Sequence, residues 1–338
     1  MKILVTGGLG YIGSHVVVEL QEQGYEVLII DNLSNTSLNV LDKITAITTI
    51  PPVFEKVDVR DKESLATFFT KHTDIKGIIH FAASKAVGES VENPLLYYEN
   101  NINALVYMLQ NIQDQETSFI FSSSCTVYGQ ADELPVTENA PIQPAESPYG
   151  NTKQIGEEII RDTCKVTPHL NAIALRYFNP IGAHKSAKIG ELPLGIPQNL
   201  VPYITQTAIG LREQLSVYGN DYPTRDGTAV RDYIHVVDLA KAHVAALSRL
   251  IEKKGTENFE VFNVGTGTGS TVLEVITAFE KATGKPLNYK IVGRRAGDVV
   301  EAYAQTDKAH QVLGWKSTYS LEEALASSWK WEQAVRGK

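Results

Sequence analysis

Short apolar runs alternate with helix-length segments through the first half of the chain. The runs are too short for helices, and Gly, Pro, Asp or Asn residues border most of them, which is typical of buried strands. We predict strands at residues 3–5, 27–30, 53–57, 77–81, 118–123 and 171–176. The segments between them predict helices at 14–20, at 61–71, from about 94 onward and at 148–165. Because strands that alternate with helices form parallel crossover units, we predict the α/β class, with a Rossmann-type doubly wound parallel sheet and helices on both faces.

The pattern loosens beyond about residue 180, where Gly and Pro recur with little hydrophobic period. We expect a smaller, loop-rich C-terminal lobe that closes over the end of the sheet. The predicted division is a dinucleotide-binding domain over 1–180 and a mainly substrate-binding lobe over 181–338, some of whose segments return to the first domain. Ligands of such sheets bind beyond the carboxyl ends of the strands, so residues at those ends should face one crevice.

The turn between the first strand and the first helix carries Gly7, Gly10 and Gly13. Glycines allow a tight turn and bring the backbone close to a pyrophosphate, which then rests on the positive end of the helix. Asp31 follows the second apolar run, where a carboxylate can accept hydrogen bonds from ribose hydroxyls. Together these features predict a bound dinucleotide rather than an ordinary tight turn. Asp31 followed by Asn32, with no adjacent arginine to receive a 2′-phosphate, favours NAD over NADP.

Composition narrows the functional class. The chain has 338 residues and a net charge of −8 without a basic run, which argues against nucleic-acid binding. Its apolar runs are all too short to span a bilayer, and the first strand begins at Lys2, so we expect neither a membrane anchor nor a signal peptide. Cys125 and Cys164 have no metal-ligand spacing, so we predict no metal site and no disulfide framework. A cytoplasmic protein is the simplest interpretation.

Tyr149 and Lys153 are the candidate catalytic residues. They lie four residues apart on the helix that Pro148 opens, and therefore on one face. A lysine ammonium and a positive nicotinamide ring nearby would favour the phenolate, which makes Tyr149 a candidate general base. Ser124, after the fifth predicted strand, could bond a substrate hydroxyl and relay the proton. The alternatives are a surface Tyr/Lys pair and a polar exit from a strand.

These motifs carry a family resemblance. The glycine turn, Ser124 and Tyr149-x-x-x-Lys153 resemble the extended short-chain dehydrogenase/reductase superfamily. Longer segments at 80–90, 176–180, 219–222 and 230–236 resemble the UDP-glucose 4-epimerase family, and the resemblance runs from residue 1 to about 315. It implies an isomerase with one tightly held NAD and a UDP-hexose substrate. Such an enzyme interconverts UDP-galactose and UDP-glucose through a 4-keto intermediate, as in galactose metabolism.

The resemblance also implies residue roles. On the cofactor side, Asp58 would bond the adenine amino group. The other cofactor-binding positions that it implies are Gly7, Gly10, Tyr11, Ile12, Gly13, Asp31, Asn32, Val59, Phe81, Ala82, Ala83, Lys85, Asn100, Ser122, Tyr149, Lys153 and Tyr177. The implied substrate-binding positions are Lys85, Ser124, Tyr149, Phe178, Asn179, Asn199, Leu200, Tyr218, Arg231, Arg295, Asp298 and Ala302. Arg231 and Arg295 also suit a diphosphate by their chemistry, because guanidinium groups pair with phosphate oxygens bidentately.

Ala302 bears on specificity. In the family this position borders the sugar's 2-position, and some members have a tyrosine there. The small side chain should leave room for a 2-acetamido group, so we expect UDP-N-acetylglucosamine and UDP-N-acetylgalactosamine to be interconverted as well.

Other interpretations stay open from the sequence. A nucleotide-sugar 4,6-dehydratase or decarboxylase could use the same scaffold, although the dehydratases carry Thr-Asp-Glu where this chain has Ser124-Cys125-Thr126. A non-catalytic dinucleotide sensor and a dehydrogenase that releases reduced cofactor are further possibilities. The helices near 94–113 and 148–165 could form a homodimer, or could be covered by their own chain. A role in galactose use and a role in making surface-polysaccharide precursors would look alike.

Overall fold

The computed structural model describes residues 1–295 and 298–337. The strands, in chain order, are β1 Lys2–Thr6, β2 Glu26–Asp31, β3 Val53–Lys56, β4 Ile75–His80, β5 Thr117–Ser122, β6 Leu170–Tyr177, β7 Asn179–Ile181, β8 Leu215–Tyr218, β9 Val230–His235, β10 Phe259–Val264, β11 Gly269–Thr271, β12 Tyr289–Val292 and β13 Glu301–Ala302. The α-helices are α1 Tyr11–Glu22, α2 Asn39–Thr48, α3 Lys62–Lys71, α4 Val87–Glu92, α5 Pro94–Tyr98, α6 Ala104–Ile112, α7 Pro148–Val166, α8 Leu200–Ala208, α9 Val236–Ile251, α10 Val272–Thr283, α11 Asp307–Leu313 and α12 Leu321–Arg336.

The main sheet has seven parallel strands in the order β10-β6-β5-β4-β1-β2-β3. Its central strands are apolar through their middle residues because helices cover both faces, and Ile3, Leu4 and Val5 are fully buried. The strand order reverses direction between β1 and β4, which opens a crevice at the carboxyl ends of the strands. The predicted α/β, Rossmann-type sheet is confirmed. The chain's C-terminal half contributes the seventh strand, β10.

The predicted long helix from residue 94 is present in the structure but contains a π-helical turn. It consists of α5, a π-helical turn at Glu99–Asn103, and α6, and the separate helix α4 precedes it. The turn is rich in asparagine, which is a poor helix former because its side chain competes for backbone groups. The side chain of Asn101 accepts from Ser84 N at 2.8 Å and donates to Ser84 O at 3.0 Å, so tertiary hydrogen bonds hold the irregular turn.

A smaller, loop-rich unit lies at the carboxyl edge of the main sheet. Strand β9 pairs with β7, β11 and β13, and β8 pairs with β12. Helices α10 and α12 pack on each other around Ile276, Phe279, Leu325 and Trp329. Helix α9 instead packs against α1 on the main sheet. Among residues 1–295 and 298–337, no helix combines the length and the apolar character that a membrane crossing requires.

Candidate active site

The glycine turn lies at the N-terminus of α1 and presents bare backbone there. Gly7 has φ +66°, and a Cβ on Gly13 would lie 2.3 Å from the carbonyl oxygen of Gly7, so the turn and α1 touch through backbone alone. Gly10 is the N-cap residue of α1, and as a glycine it has no side chain that could bond the first N–H groups of the helix. The N–H groups at the start of α1 therefore stay available to an anion, and the turn fits a dinucleotide pyrophosphate.

Two carboxylates, Asp31 and Asp58, lie at the ends of β2 and β3, where we predict that adenosine binds. Asp31 accepts hydrogen bonds from Leu9 N at 3.3 Å and Leu33 N at 2.9 Å, while burial raises its pKa. Asp58 is paired with Arg60, which lowers the pKa of its carboxyl group to about 2, and it also accepts from Asn32 at 3.2 Å. Arg60, which is not adjacent to Asp31 in the sequence, lies near this carboxylate end of the strands, and its guanidinium is engaged by Asp58.

The end of β4 passes beside the glycine turn. The backbone N–H of Ala82 donates to Thr6 Oγ1 at 3.1 Å, and a Cβ on Gly7 would lie 3.0 Å from the same nitrogen. Asn100, in the π-helical turn, donates to Ser84 Oγ at 2.5 Å. The other predicted cofactor-binding positions in these parts of the chain are Tyr11 and Ile12 at the start of α1, Val59 after β3, and Phe81 and Ala83 after β4.

Helix α7 carries Tyr149 and Lys153 toward the end of β5. Ser147 caps the helix by accepting from Gly150 N at 3.2 Å, and Pro148 occupies its first turn. The Lys153 ammonium donates to Ser122 O at 2.7 Å and lies 5.8 Å from the centre of the Tyr149 ring. Tyr149 is 8% exposed and Lys153 4%, so a surface pair is excluded.

Burial dominates the electrostatics of the pair. Burial raises the pKa of Tyr149 well above its ordinary value, although a hydrogen bond with Ser124 acts in the opposite direction. Burial also lowers the pKa of Lys153 to about 8. Neither shift is caused by the other member of the pair, and the expectation that Lys153 and a nicotinamide ring together favour the phenolate stays a prediction. Tyr177 lies at the same strand ends and shares a 2.6 Å hydrogen bond with Ser122.

The predicted diphosphate-binding residues meet at one carboxylate. Asp298 Oδ1 lies 2.7 Å from Arg295 Nη2 and 3.5 Å from Arg231 Nη2. Ala302 is paired with Arg231 in the register of β13 on β9. The structure thus brings together residues that are far apart in the chain, and two cations converge where an anionic ligand could replace part of the ion pairing.

Two other predicted substrate contacts meet at Glu191. Its carboxylate accepts from Asn199 Nδ2 at 2.7 Å and lies 3.5 Å from Lys85 Nζ. Leu200 opens α8 directly after Asn199. Tyr218 ends β8 and is 44% exposed, with the Arg295 guanidinium 5.7 Å from its ring centre.

An apolar wall completes the crevice. Phe178 is buried in a cluster against which Ala302 and Cys125 pack, and Asn179 opens β7 next to it. Ala302 therefore packs against an apolar cluster and is at the same time the register partner of Arg231.

Sequence reasoning missed Glu191, Glu157 and Asp232. Asp232 is fully buried and accepts from Thr266 N, Gly267 N and Ala304 N, which ties β9 to two loops. Glu157 offered a sequence signal, because it lies four residues after Lys153 on the same helix face. Glu191 offered none, since Lys85 is 106 residues away and Asn199, eight residues away, is reached across a segment with little hydrophobic period. The described residues hold no cluster of three or more His, Cys, Asp or Glu side chains suited to a metal ion.

Comparison with known proteins places the chain in a family. The model of the family described as GDP-mannose 4,6 dehydratase matches residues 4–328. UDP-glucose 4-epimerase from Bacillus subtilis is 48% identical over 335 residues, which are 99% of this chain and 97% of that protein. The chain belongs to the extended short-chain dehydrogenase/reductase superfamily and, within it, to the UDP-glucose 4-epimerase family.

Solved structures of this family share the whole fold. The epimerase from Stenotrophomonas maltophila, crystallised with NAD and formylated UDP-arabinopyranose, is 46% identical with a TM-score of 0.95, covering 100% of this chain and 99% of that one. The epimerase from Bifidobacterium longum, in complex with NAD+ and UDP, is 45% identical with a TM-score of 0.94 and the same coverage. The sequence-based assignment to this family of isomerases is confirmed.

Proposed function

We propose that the protein is a UDP-glucose 4-epimerase that interconverts UDP-galactose and UDP-glucose with a retained NAD. The observation that carries the proposal is the buried Tyr149–Lys153 pair at the strand end next to Ser124, in the same crevice as the open glycine turn. Family membership and the nucleotides bound by the solved relatives support it.

The mechanism depends on proton control around the sugar's O4. Bound NAD would supply a positively charged nicotinamide ring that reversibly accepts hydride from C4. Tyr149, as phenolate, takes the O4 proton, while Ser124 holds that oxygen by a hydrogen bond. Lys153 stabilises the phenolate as an adjacent cation. Once the ketosugar has turned, Tyr149 returns the proton to O4, so that each turnover restores the protein.

Binding must favour the UDP group over the sugar, since the sugar has to turn within the site. Arg231 and Arg295 provide paired guanidinium groups for the diphosphate, and Asp298, which they share, would turn to the uridine ribose. In this proposal, residues 1–180 hold NAD and residues 181–338 mainly hold the UDP-sugar. Asn179, Asn199, Leu200 and Tyr218 would seat the nucleotide, and Lys85 and Phe178 would border the sugar.

The test uses purified protein with no added cofactor. UDP-galactose is supplied, and formation of UDP-glucose is followed by proton NMR. Tyr149→Phe should abolish conversion and leave NAD bound. Tyr25→Phe is the control, because it removes a hydroxyl whose bond to Ser248, at 3.4 Å, is remote from the crevice. Conversion by Tyr149→Phe, or no conversion by the wild-type protein even with NAD added, would refute the proposal.

A 4,6-dehydratase is less well supported by the residues after β5. Dehydration needs an acid and a base beside the tyrosine, and residues 124–126 offer hydroxyls and a thiol instead of a carboxylate. Burial raises the pKa of the Cys125 thiol to about 11, so it is a poor base near neutral pH.

We further propose that the site accepts 2-acetamido sugars. The support is the small side chain of Ala302, partly buried among apolar neighbours beside Phe178. Ala302→Tyr should abolish interconversion of UDP-N-acetylgalactosamine and UDP-N-acetylglucosamine while retaining that of UDP-galactose, because the ring fills the space at C2. Ala302→Ser, which stays small, is the matched control. Equal loss on both substrate pairs in the NMR assay would contradict the steric argument.

We also propose a homodimer through α5, α6 and α7. Leu95 is 81% exposed and borders an open groove together with Tyr98, Ile102 and Ile155. Exposed apolar grooves mark protein–protein contact sites. Light scattering should give a dimer mass for the wild-type protein and a monomer mass for Leu95→Glu, and a monomeric wild-type protein would refute the proposal.

A further inference from the structure

Each of the three serines at the end of β5 faces a different residue of α7. The Ser122 carbonyl accepts from Lys153 at 2.7 Å, and the Ser124 hydroxyl lies close enough to Tyr149 to act on the pKa of that phenol. The hydroxyl of Ser123, between them, donates to Glu157 Oε1 at 2.6 Å. Tyr149, Lys153 and Glu157 follow one another at intervals of four residues, so one helix face holds the whole serine run.

Glu157 is itself locked in place from the sheet. Its Oε1 accepts from Arg176 Nε at 2.9 Å and its Oε2 from Arg176 Nη2 at 2.6 Å. Glu157 and Arg176 are each 3% exposed, and Ser123 is fully buried. Arg176 lies on β6, the strand beside β5. The bidentate pair therefore fixes the carboxylate with respect to both strands and the helix.

We propose that Glu157 is a positioning residue for the reaction, acting through Ser123 to hold Ser124 in register with Tyr149. This inference rests on the proposed function. Ser124 and Ser123 are neighbours on one short stretch of backbone, so a shift at Ser123 is passed directly to the hydroxyl that faces Tyr149. The proton step needs that geometry, because a displacement of about 1 Å at a reacting group can cost on the order of a hundredfold in rate.

The Tyr149 pKa gives a readout that a purely structural role would not move. The hydrogen bond from Ser124 lowers this pKa, so loosening Ser124 should raise it further. The titratable groups that face Tyr149 are Lys153 on its own helix and Tyr97, Cys125 and Tyr177 on neighbouring segments. None of them is altered by a change at Ser123.

The test variant is Ser123→Ala, since Glu157→Gln would leave the Arg176 charge buried without a partner and could unfold the protein. Ser328→Ala is the matched control. Ser328 is also a buried serine with two backbone hydrogen bonds, from Gly182 N at 3.0 Å and to Ala324 O at 3.1 Å. The two measurements, on NAD-loaded full-length protein, are conversion of UDP-galactose and titration of Tyr149. The titration follows tyrosinate absorbance, with Tyr149→Phe subtracted.

Ser123→Ala should lower kcat by about tenfold or more with KM unchanged. It should also move the Tyr149 titration to higher pH, while Ser328→Ala changes neither. The proposal would be overturned if Ser123→Ala had the same kcat and the same Tyr149 titration as Ser328→Ala. It would also be overturned if Ser123→Ala raised KM and left kcat unchanged. If the wild-type protein fails to convert UDP-galactose while the titration still shifts in Ser123→Ala, the proposed function fails and the positioning role stands.

Discussion

Replacing Gly13 by alanine tests whether the glycine turn is built for close approach of backbone to ligand. The added Cβ would lie 2.3 Å from the Gly7 carbonyl oxygen and 2.9 Å from Gly8 Cα. Carbon–oxygen contacts in proteins begin at about 3.3 Å, so the start of α1 must move away from the Gly7 carbonyl by about 1 Å. Both neighbours are backbone atoms that no rotamer change can remove. Overpacking of this kind costs about 1–3 kcal/mol.

Two assays separate the consequences of this change. Urea denaturation should show the loss in free energy of unfolding. Quantification of nucleotide released from purified protein should show that NAD is largely lost, because the helix N-terminus has moved from the predicted pyrophosphate site. Gly88→Ala is the control, since its added Cβ meets no atom of the described chain within 4 Å, and alanine favours the helix. A Gly13→Ala variant that retains its full NAD content, and whose free energy of unfolding lies within about 0.5 kcal/mol of the wild-type value, would refute the steric reasoning.

Two further predictions concern charges. Arg176→Met leaves Glu157 buried without its partner and should lower the free energy of unfolding by about 3–5 kcal/mol. Arg225→Met breaks the exposed ion pair with Glu274 and should cost less than about 1 kcal/mol. If urea denaturation gave the same loss in free energy of unfolding for both variants, the prediction that burial makes the loss of Arg176 more costly would be contradicted. Burial raises the pKa of Glu19 to about 7 from 4.5, so its contribution to stability is complete below pH 4.5 and is lost as the pH rises through about 7. Glu19→Gln should therefore be more stable than wild type at about pH 8 and should lack that decline, whereas an equal decline in both proteins would show that Glu19 titrates normally.

Local patterns in the sequence were enough to predict much of this molecule. Apolar runs and helical periods depend on neighbours within a few residues, so the strands of the first half and the class of the sheet could be predicted. The same holds for the glycine turn, and for Tyr149 and Lys153 on one helix face, since helix geometry places residues four apart together. The π-helical turn at Glu99–Asn103 was not predicted, because it is accompanied by hydrogen bonds between Asn101 and Ser84, which lies on a separate loop.

Contacts between distant parts of the chain required the folded structure. Strand β10 joins the main sheet beside β6, Asp298 meets Arg231, and Glu191 meets Lys85. No local pattern encodes these meetings, since each depends on how the chain closes long loops and on which surfaces then pack. The Tyr149 pKa belongs to this second group as well. The sequence shows a lysine one turn away, but the degree of burial, which governs the pKa of both side chains, follows from the packing of α7 against the sheet.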